Sequence, residues 1–304
     1  MKKVISVSLG SSARNAAAQL TLGGETFEIS RQGHDGDLAA MRARLIELDG
    51  KVDAIGLGGC SCYLYGKQGR KYPLRAICKL ASVVRTTPVV DGSLIKDTLE
   101  RDIVEQLPEL GVPLQGRRVL MVCGLERIGM AEALVAAGAE VHFGDAMFAL
   151  GLPFVIRKLS TLHRLIGVLA PLVSRMPFSL LYPSGQSQNK QDTRYGRHYA
   201  WADVIAGDHL YIRAHLPLDL TGKVIVTNTI TPADAAQLRE RNALALVTAT
   251  PEIEGRCYGT NVMEALMTAM AGRSDLTADD HRRLFQASGL TSHITWFQEK
   301  SDAC

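Results

Sequence analysis

Hydrophobic residues recur along the chain with two different spacings, and each spacing predicts one kind of element. Short runs rich in β-branched residues predict strands at residues 3–8, 119–123, 140–143, 203–206, 223–227 and 243–248. Helical spacing predicts helices at residues 37–48, 127–137, 159–173 and 232–241. In the first of these helices, one face would carry Leu38, Met41, Leu45 and Leu48. A hairpin is expected around Gly23 and Gly24.

Strands that alternate with helices predict an α/β protein with a parallel, doubly wound sheet. A segment rich in glycine, proline and arginine precedes residue 119, and we place a domain boundary near Leu114. The expected organisation is an α/β substrate or catalytic domain at residues 1–114, followed by a Rossmann-like domain at residues 115–258. Helices within residues 259–304 are expected to pack across the domains and to return to the first.

Composition and charge narrow the class of protein. The chain has 304 residues and a formal net charge of +3, with 46% hydrophobic and 21% charged residues, which is typical of globular proteins. The small net charge argues against a nucleic-acid-binding protein. The N-terminal apolar run is too short for a signal peptide or a membrane span. We therefore expect a cytoplasmic protein without membrane contacts.

The six cysteines do not form the pattern of a metal site or of a disulfide scaffold. Cys60 and Cys62 form an isolated C-x-C pair, whereas structural zinc usually needs about four ligands. We expect no metal, and a redox or nucleophilic role for Cys60 stays open.

A strand–turn–helix segment beginning at residue 119 carries part of the dinucleotide-binding fingerprint. Gly124 and Gly129 occupy the first and third glycine positions, whereas Glu126 stands at the second. The amide groups of Arg127 and Ile128, at the start of the helix, are expected to bind a diphosphate. The side chain of Arg127 would offset the negative charge of Glu126.

An acidic residue at the end of the next strand indicates which cofactor is bound. Asp145 lies about 20 residues past Gly124, where a carboxylate hydrogen-bonds to the ribose of NAD. NAD is therefore the expected cofactor, and NADP stays open. Asn228 and Thr229 follow a later strand and are expected to face the same cofactor. The alternative is that the glycines only build a corner in an α/β domain that binds no cofactor.

Polar side chains elsewhere are candidates for binding a hydroxylated, anionic substrate. A long polar loop contains Tyr182 and Lys190, and a plain exposed connection is the alternative interpretation. Tyr211 lies near the end of another strand, and Asn261 lies at a helix start, where capping is the alternative. We expect a small-molecule substrate as the partner, with a homodimer left open.

Six segments carry a resemblance to a known family. They are TPVVDGSLIKDTLER, ERIGMAEAL, FGDAMFALGLP, ADVIAGDHLYIRAHLP, GKVIVTNTIT and GTNVMEA. Through them the chain resembles bacterial proteins labelled quinate 5-dehydrogenase, which are grouped with the shikimate and quinate dehydrogenases. The resemblance implies a catalytic α/β domain, a Rossmann domain and a returning C-terminal helix. It also implies a lysine and an aspartate that act as an acid/base pair at a substrate hydroxyl.

In this chain, Lys96 and Asp91 are the residues that correspond to this lysine and aspartate. They lie five residues apart across the turn that starts a helix, and a carboxylate can poise a lysine to take or return a proton. The alternative is that Asp91 only caps the helix and that Lys96 is a surface lysine. The sequence thus indicates an NAD(P)-dependent oxidoreductase acting on a small hydroxylated, carboxylated metabolite. A ligand-binding or regulatory protein without redox turnover, or a non-redox lyase or isomerase, are the alternatives.

Overall fold

Two α/β units account for the residues that the computed structural model describes, 1–178 and 193–298. The first unit comprises the described residues of Met1–Thr98, Leu165–Gly185 and Tyr258–Thr291. The second unit comprises the described residues of Leu99–Arg164, Gln186–Cys257 and Ser292–Cys304. Both units are built on sheets in which parallel pairs dominate, so the prediction of a two-domain α/β fold is confirmed.

The first unit contains a five-stranded sheet and a two-stranded ribbon. Its strands are β1 (Lys2–Ser8), β2 (Ala16–Leu22), β3 (Glu25–Gly33), β4 (Ala54–Gly58), β5 (Tyr63–Tyr65), β6 (Lys71–Pro73) and β7 (Val89–Val90). The large sheet has the order β2-β3-β1-β4-β7, and all of its pairs are parallel except β2 with β3. That antiparallel pair turns at Gly23 and Gly24, which confirms the predicted hairpin.

Helices cover this sheet because each has one apolar face. They are α1 (Leu38–Leu48), α2 (Arg75–Ala81) and the start of α3 (Ser93–Gln106). In α1, Met41, Leu45 and Leu48 are buried as their spacing predicted, and the carboxylate of Asp37 caps the first turn. The first unit also contains two helices within Tyr258–Thr291, a segment that lies in sequence between two parts of the second unit.

The second unit contains a six-stranded sheet in the order β15-β12-β11-β10-β8-β9. Its strands are β8 (Arg118–Met121), β9 (Glu140–Phe143), β10 (Val204–Ala206), β11 (Val224–Thr227), β12 (Ala245–Thr248) and β15 (His293–Trp296), with a separate ribbon of β13 (Glu252–Ile253) and β14 (Arg256–Cys257). All pairs of the large sheet are parallel except β12 with β15. The chain switches sides between β8 and β10, and ligands of open α/β sheets bind beside such a switch point.

Helices follow each of the strands β8, β9, β10 and β11, and further helices lie between β9 and β10 and after β14. They are α4 (Ile128–Ala136), α5 (Asp145–Leu150), α6 (Leu159–Val173), α7 (Gly196–Trp201), α8 (His209–Ala214), α9 (Pro232–Glu240), α10 (Thr260–Ala271) and α11 (Ala278–Ser288). Reciprocal hydrogen bonds of Thr231 with Asp234 and of Thr277 with Asp280 fix the starts of α9 and α11. None of the helices in the described residues combines the length and apolar character needed to cross a membrane.

The units divide the chain differently from the boundary expected near Leu114. The first unit ends at Thr98, inside α3, and the division recurs after Arg164, inside α6. Loop composition cannot reveal a division inside a helix, because the hydrogen bonds of a helix are local and continue through it. The helices α10 and α11 return to the first unit as predicted, whereas β15 adds an antiparallel strand to the second.

Candidate functional site

Lys96 lies at the edge of the first sheet where the parallel strands end. Its nitrogen Nζ donates a hydrogen bond of 3.0 Å to Ser61 Oγ. Ser61 belongs to the glycine-rich turn after β4 and is only 4% exposed, whereas Lys96 is half-buried in α3. This contact gives the ammonium group a defined position at an edge where open α/β sheets bind ligands.

Asp91 fixes the backbone around this lysine. One carboxylate oxygen accepts a hydrogen bond from the N–H of Cys62. The other accepts from the N–H and the hydroxyl of Ser93, at 3.2 and 2.7 Å. Asp91 thus ties the turn that contains Ser61 to the start of the helix that carries Lys96. The role of Asp91 as the acid/base partner of Lys96 stays a prediction.

Glu264, in α10, approaches the same helix start and is only 6% exposed. It accepts hydrogen bonds from N–H groups of Ile95, Gly92 and Leu94. Burial and then the charge of Asp91 raise the pKa of Glu264 to about 8, although these hydrogen bonds act in the opposite direction. Its Oε2 has no hydrogen-bond partner among the described residues. Glu264 is not among the residues predicted from the sequence, because glutamates in helices are rarely buried.

Asn261 makes its contacts inside the first unit. Its Nδ2 donates a hydrogen bond of 2.6 Å to Ser6 Oγ in β1. Its backbone also lies close to Gly92, where an added Cβ would come within 2.4 Å of the Asn261 nitrogen. Only glycine allows this approach, and φ at Gly92 is +80°. Asn261 therefore fastens α10 to the sheet, and its contact with a substrate stays a prediction.

The thiols in the turn beside Lys96 are buried and protonated at neutral pH. Cys60 and Cys62 are 6% and 8% exposed. Burial, and then the charge of Asp91, raises the pKa of Cys60 to about 12. A protonated thiol is a weak nucleophile and a weak metal ligand. In the part of the chain that the structure describes, no group of three His, Cys, Asp or Glu side chains could hold a metal ion.

In the second unit, the carboxylate of Asp145 occupies the glycine turn after β8. Its oxygens accept hydrogen bonds from the N–H groups of Gly124 at 3.0 Å and Leu125 at 2.7 Å. Asp145 is 5% exposed, and burial raises its pKa to about 6 against the effect of these bonds. Asp145 therefore binds the amides of the turn itself, which the sequence could not show, and its hydrogen bond to a ribose stays a prediction.

Side chains pack closely against the first glycine of this turn. A Cβ at Gly124 would lie 3.0 Å from carbon atoms of Leu162 and Phe143 and 3.2 Å from Asp145 Oδ2. Glycine is thus required here by the neighbouring side chains. Ile128 and Gly129 are buried in the first turn of α4, which has no side-chain cap.

Arg127 is paired with two carboxylates, one of them fully buried. Its guanidinium contacts Glu100 Oε1 and lies 2.8 Å from Asp208 Oδ2. The side chains of Arg127 and Glu100 are 1% and 0% exposed. Arg127 could meet a phosphate only by leaving Glu100 as an unpaired buried charge. The pairs with Glu100 and Asp208 were not expected from the sequence, and compensation of Glu126 by Arg127 stays a prediction. The sequence does not point to Glu100 as the partner of Arg127, because Glu100 lies on another helix, 27 residues away from Arg127.

Tyr211 lies beside the same turn, with 36% of its surface exposed. Burial and then the charge of Glu126 raise the pKa of its phenol, and Asp208 and Asp145 act in the same direction. Carboxylates therefore surround the turn, while its cation is neutralised. An anionic diphosphate would meet like charges at short range. The residues at this turn do not fit a dinucleotide diphosphate as they are placed.

Asn228 and Thr229 follow β11 at the same edge of the second sheet. Asn228 is 4% exposed, and its Oδ1 has no hydrogen-bond partner among residues 1–178 and 193–298. Thr229 is half-buried. Tyr182 and Lys190, the remaining predicted substrate contacts, lie outside the described residues.

Solved structures of several different proteins are similar to the whole chain at a low level. A sugar ABC transport substrate-binding protein from Bordetella parapertussis 12822 is 14% identical, with 87% of this chain and 72% of that chain covered and a TM-score of 0.33. A Mycobacterium smegmatis protein in complex with β-D-fucofuranose is 10% identical, with 96% and 99% covered and a TM-score of 0.34. The A chain of dipicolinate synthase from Bacillus subtilis is 11% identical, with 94% and 97% covered and a TM-score of 0.30. With such low TM-scores, function has to be inferred from the chain's own residues.

Two family descriptions match the sequence, and they adjoin just before α3. No curated protein matches. Residues 3–91 match a family described as Domain of unknown function (DUF8753). Residues 94–297, more than half of the 304 residues, match Domain of unknown function (DUF8754). The chain therefore belongs to the DUF8754 family.

Proposed function

We propose that the chain is an enzyme that transfers a proton on a small hydroxylated, carboxylated metabolite, with Lys96 as the proton donor. The observation that carries this proposal is the 3.0 Å hydrogen bond from Lys96 Nζ to the buried Ser61 Oγ. It holds an ammonium group in one position at the edge of the first sheet. Quinate and shikimate are representatives of this substrate class.

An ammonium group in this position can act in two ways on such a substrate. It attracts the substrate carboxylate through charge-assisted hydrogen bonds. It also donates a proton to an oxygen on which negative charge develops during the reaction. Asp91 supports both actions, because its hydrogen bonds to Cys62 and Ser93 hold the turn that contains Ser61 next to the start of the helix that carries Lys96. A fixed donor needs no rearrangement as the charge develops.

The second unit favours a reaction without hydride transfer, hence a lyase or an isomerase. Asp145 uses two amides of the glycine turn, and Arg127 is neutralised by Glu100 and Asp208. NAD(P)-dependent oxidation is the second candidate function. One observation favours it: α4 begins at Ile128 without a side-chain cap, so amides of its first turn remain to meet a phosphate.

Replacing Lys96 with methionine is expected to lower turnover at least ~100-fold, because general acid catalysis typically contributes that much. Proton NMR of quinate and of shikimate incubated with the enzyme measures conversion. Lys96→Arg keeps the charge but donates no proton, since a guanidinium is not deprotonated in proteins. Lys79→Met, at an exposed position of α2, is the matched control and should leave turnover unchanged.

Parallel reactions with and without NAD⁺ separate the two candidate functions. Conversion without NAD⁺ supports proton transfer alone. Conversion that requires NAD⁺, together with saturable quenching of protein fluorescence by NADH, would establish the oxidoreductase instead. If neither acid is converted under any condition, the proposed substrate class is wrong. If Lys96→Met converts either acid at the wild-type rate, Lys96 is not the proton donor.

A further inference from the structure

The large sheet of the first unit has one long open edge. Strand β2 ends the order of this sheet, and β3 pairs with it residue by residue along its whole length, Ala16–Leu22. Among the described residues, no further strand pairs with β2. The uninterrupted pairing also means that β2 contains no bulge, so its edge is regular. Such an edge presents a row of backbone N–H and C=O groups to which another strand can bind.

Strand β2 lacks the features that usually prevent association at a sheet edge. Proteins make such edges short, place charged residues or proline in them, or cover them. The sequence of β2, AAAQLTL, contains no charged residue and no proline. By contrast, β7 at the opposite edge has only two residues, and β9 in the second sheet carries Glu140 and is partly paired by Ile156. Pairing with another strand is therefore least opposed at β2.

The hairpin turn fixes which backbone groups of β2 point outward. Gly23 and Gly24 have φ angles of +56° and +81°, as in a two-residue type I′ turn. In this turn the C=O of Leu22 accepts a hydrogen bond from the N–H of Glu25. Because hydrogen bonds recur at alternate residues of an antiparallel pair, the even-numbered residues of β2 bond to β3. The N–H and C=O groups that point away from the sheet belong to Ala17, Gln19 and Thr21.

The side chains of β2 alternate between a solvated face and an apolar face. The odd-numbered residues are exposed. On the other face Ala18 and Leu22 are buried, whereas Leu20 is only half-buried. A further strand beside β2 would complete the burial of Leu20 and would meet only small or uncharged side chains on the solvated face.

We propose that β2 pairs in an antiparallel manner with β2 of a second copy of this chain, around a two-fold axis at Gln19. In this register Gln19 faces the partner's Gln19, and Ala17 faces the partner's Thr21. Every residue whose backbone groups point outward then faces another such residue, so hydrogen bonds form along the whole strand. The two sheets become one continuous sheet. Two-fold dimers are the commonest closed assemblies of identical chains.

The side chains that meet across the axis are self-complementary. The amide of glutamine has both donor and acceptor groups, so two facing glutamines can hydrogen-bond to each other. On the apolar face, Leu20 lies beside the partner's Ala18, so a large side chain meets a small one. Like charges, which would oppose the pairing of identical strands, are absent from the sequence of β2.

Opposite charges at the two ends of β2 favour the same arrangement. Arg14 precedes the strand, and Glu25 follows its hairpin turn. The side chain of Glu25 is 55% exposed, although it forms an ion pair with Lys2. Antiparallel pairing brings the end that carries Arg14 next to the partner's Glu25 on both sides of the axis, and such complementarity sets the register of an interface. The interface does not involve Lys96 or depend on the reaction proposed there.

Sedimentation velocity of the full chain over a series of concentrations tests the proposal. Wild type should form dimers reversibly. Gln19→Lys places two ammonium groups opposite each other at the axis and should raise the dimer dissociation constant about tenfold, as lysines on natural edge strands oppose pairing. Gln286→Lys adds the same charge at an exposed position of α11 and is the matched control, which should dimerise like wild type.

Ala17→Pro tests the backbone pairing itself. Proline removes an outward N–H, and edge strands tolerate proline at such positions, so the variant should keep the circular dichroism of wild type and lose the dimer. Amide hydrogen exchange of wild type provides a measurement without substitution. The amides of Ala17, Gln19 and Thr21 should exchange more slowly at high than at low protein concentration, whereas those of Ala18 and Leu20 should not change.

The proposal is overturned if wild type sediments as a monomer at every concentration. It is also overturned if Gln19→Lys and Ala17→Pro dimerise as tightly as Gln286→Lys does, because the dimer would then use another surface. Exchange of the odd-numbered amides of β2 that does not depend on concentration, in a range where wild type changes from monomer to dimer, would contradict it in the same way.

Discussion

Replacing Arg127 with methionine is expected to lower the free energy of unfolding by about 3–5 kcal/mol. The guanidinium contacts Glu100, whose side chain is 0% exposed, and also Asp208. Methionine fills similar space but leaves the Glu100 carboxylate buried without a counterion. A buried charge that loses its partner destabilises a protein more than the pair stabilised it. Urea unfolding followed by circular dichroism measures the change.

Two further variants show whether the charge of Glu100 causes this loss. Arg118→Met breaks the more exposed pair with Asp203, where the two side chains are 46% and 26% exposed, and should cost about 1 kcal/mol or less. Adding Glu100→Gln to Arg127→Met removes the unpaired charge and should restore part of the stability. A loss of less than about 1 kcal/mol in Arg127→Met would contradict the buried pair.

Stability is also expected to fall between pH 5 and pH 8 by an amount on the order of a few kcal/mol, because of Glu264. Burial raises the pKa of Glu264 from its ordinary 4.5 to about 8 in the folded chain. Since the folded pKa is the higher one, protonation favours the folded state. This contribution is complete below the unfolded pKa of 4.5 and is lost as the pH rises through about 8.

Glu264→Gln isolates this effect, because glutamine has a similar shape and no titratable proton. The variant should show a flatter dependence of unfolding free energy on pH than wild type. Asp145, whose pKa is raised to about 6, contributes a similar slope at lower pH, so the comparison is sharpest from pH 6.5 to 8.5. Glu109→Gln, at an exposed position, is the control. Equal slopes in wild type and Glu264→Gln would show that Glu264 is ionised in the folded chain throughout this range.

The fold class followed from the sequence because it depends on local spacing. The alternation of strands and helices was visible in the period of apolar residues, and the hairpin at Gly23 and Gly24 in its turn residues. The order of strands in each sheet was not visible. It depends on which strands pair across long stretches of chain, as when β15 adds to β12.

For the candidate site, too, local sequence features could be predicted and contacts between distant residues could not. The sequence drew attention to Lys96 and Asp91 through a resemblance and a helix-start pattern. It could not show that Lys96 donates a hydrogen bond to Ser61, since the turn after β4 and the helix α3 meet only in the folded chain.

The sequence by itself determined that this is an α/β chain of two domains with a glycine turn after the first strand of the second. Backbone periodicity and turn chemistry act over a few residues, so they can be read locally. Only the tertiary structure decided what the charges at that turn do. Asp145 binds the turn amides and Arg127 binds Glu100, because a charge excluded from water takes whichever opposite charge or amide dipole the fold brings to it.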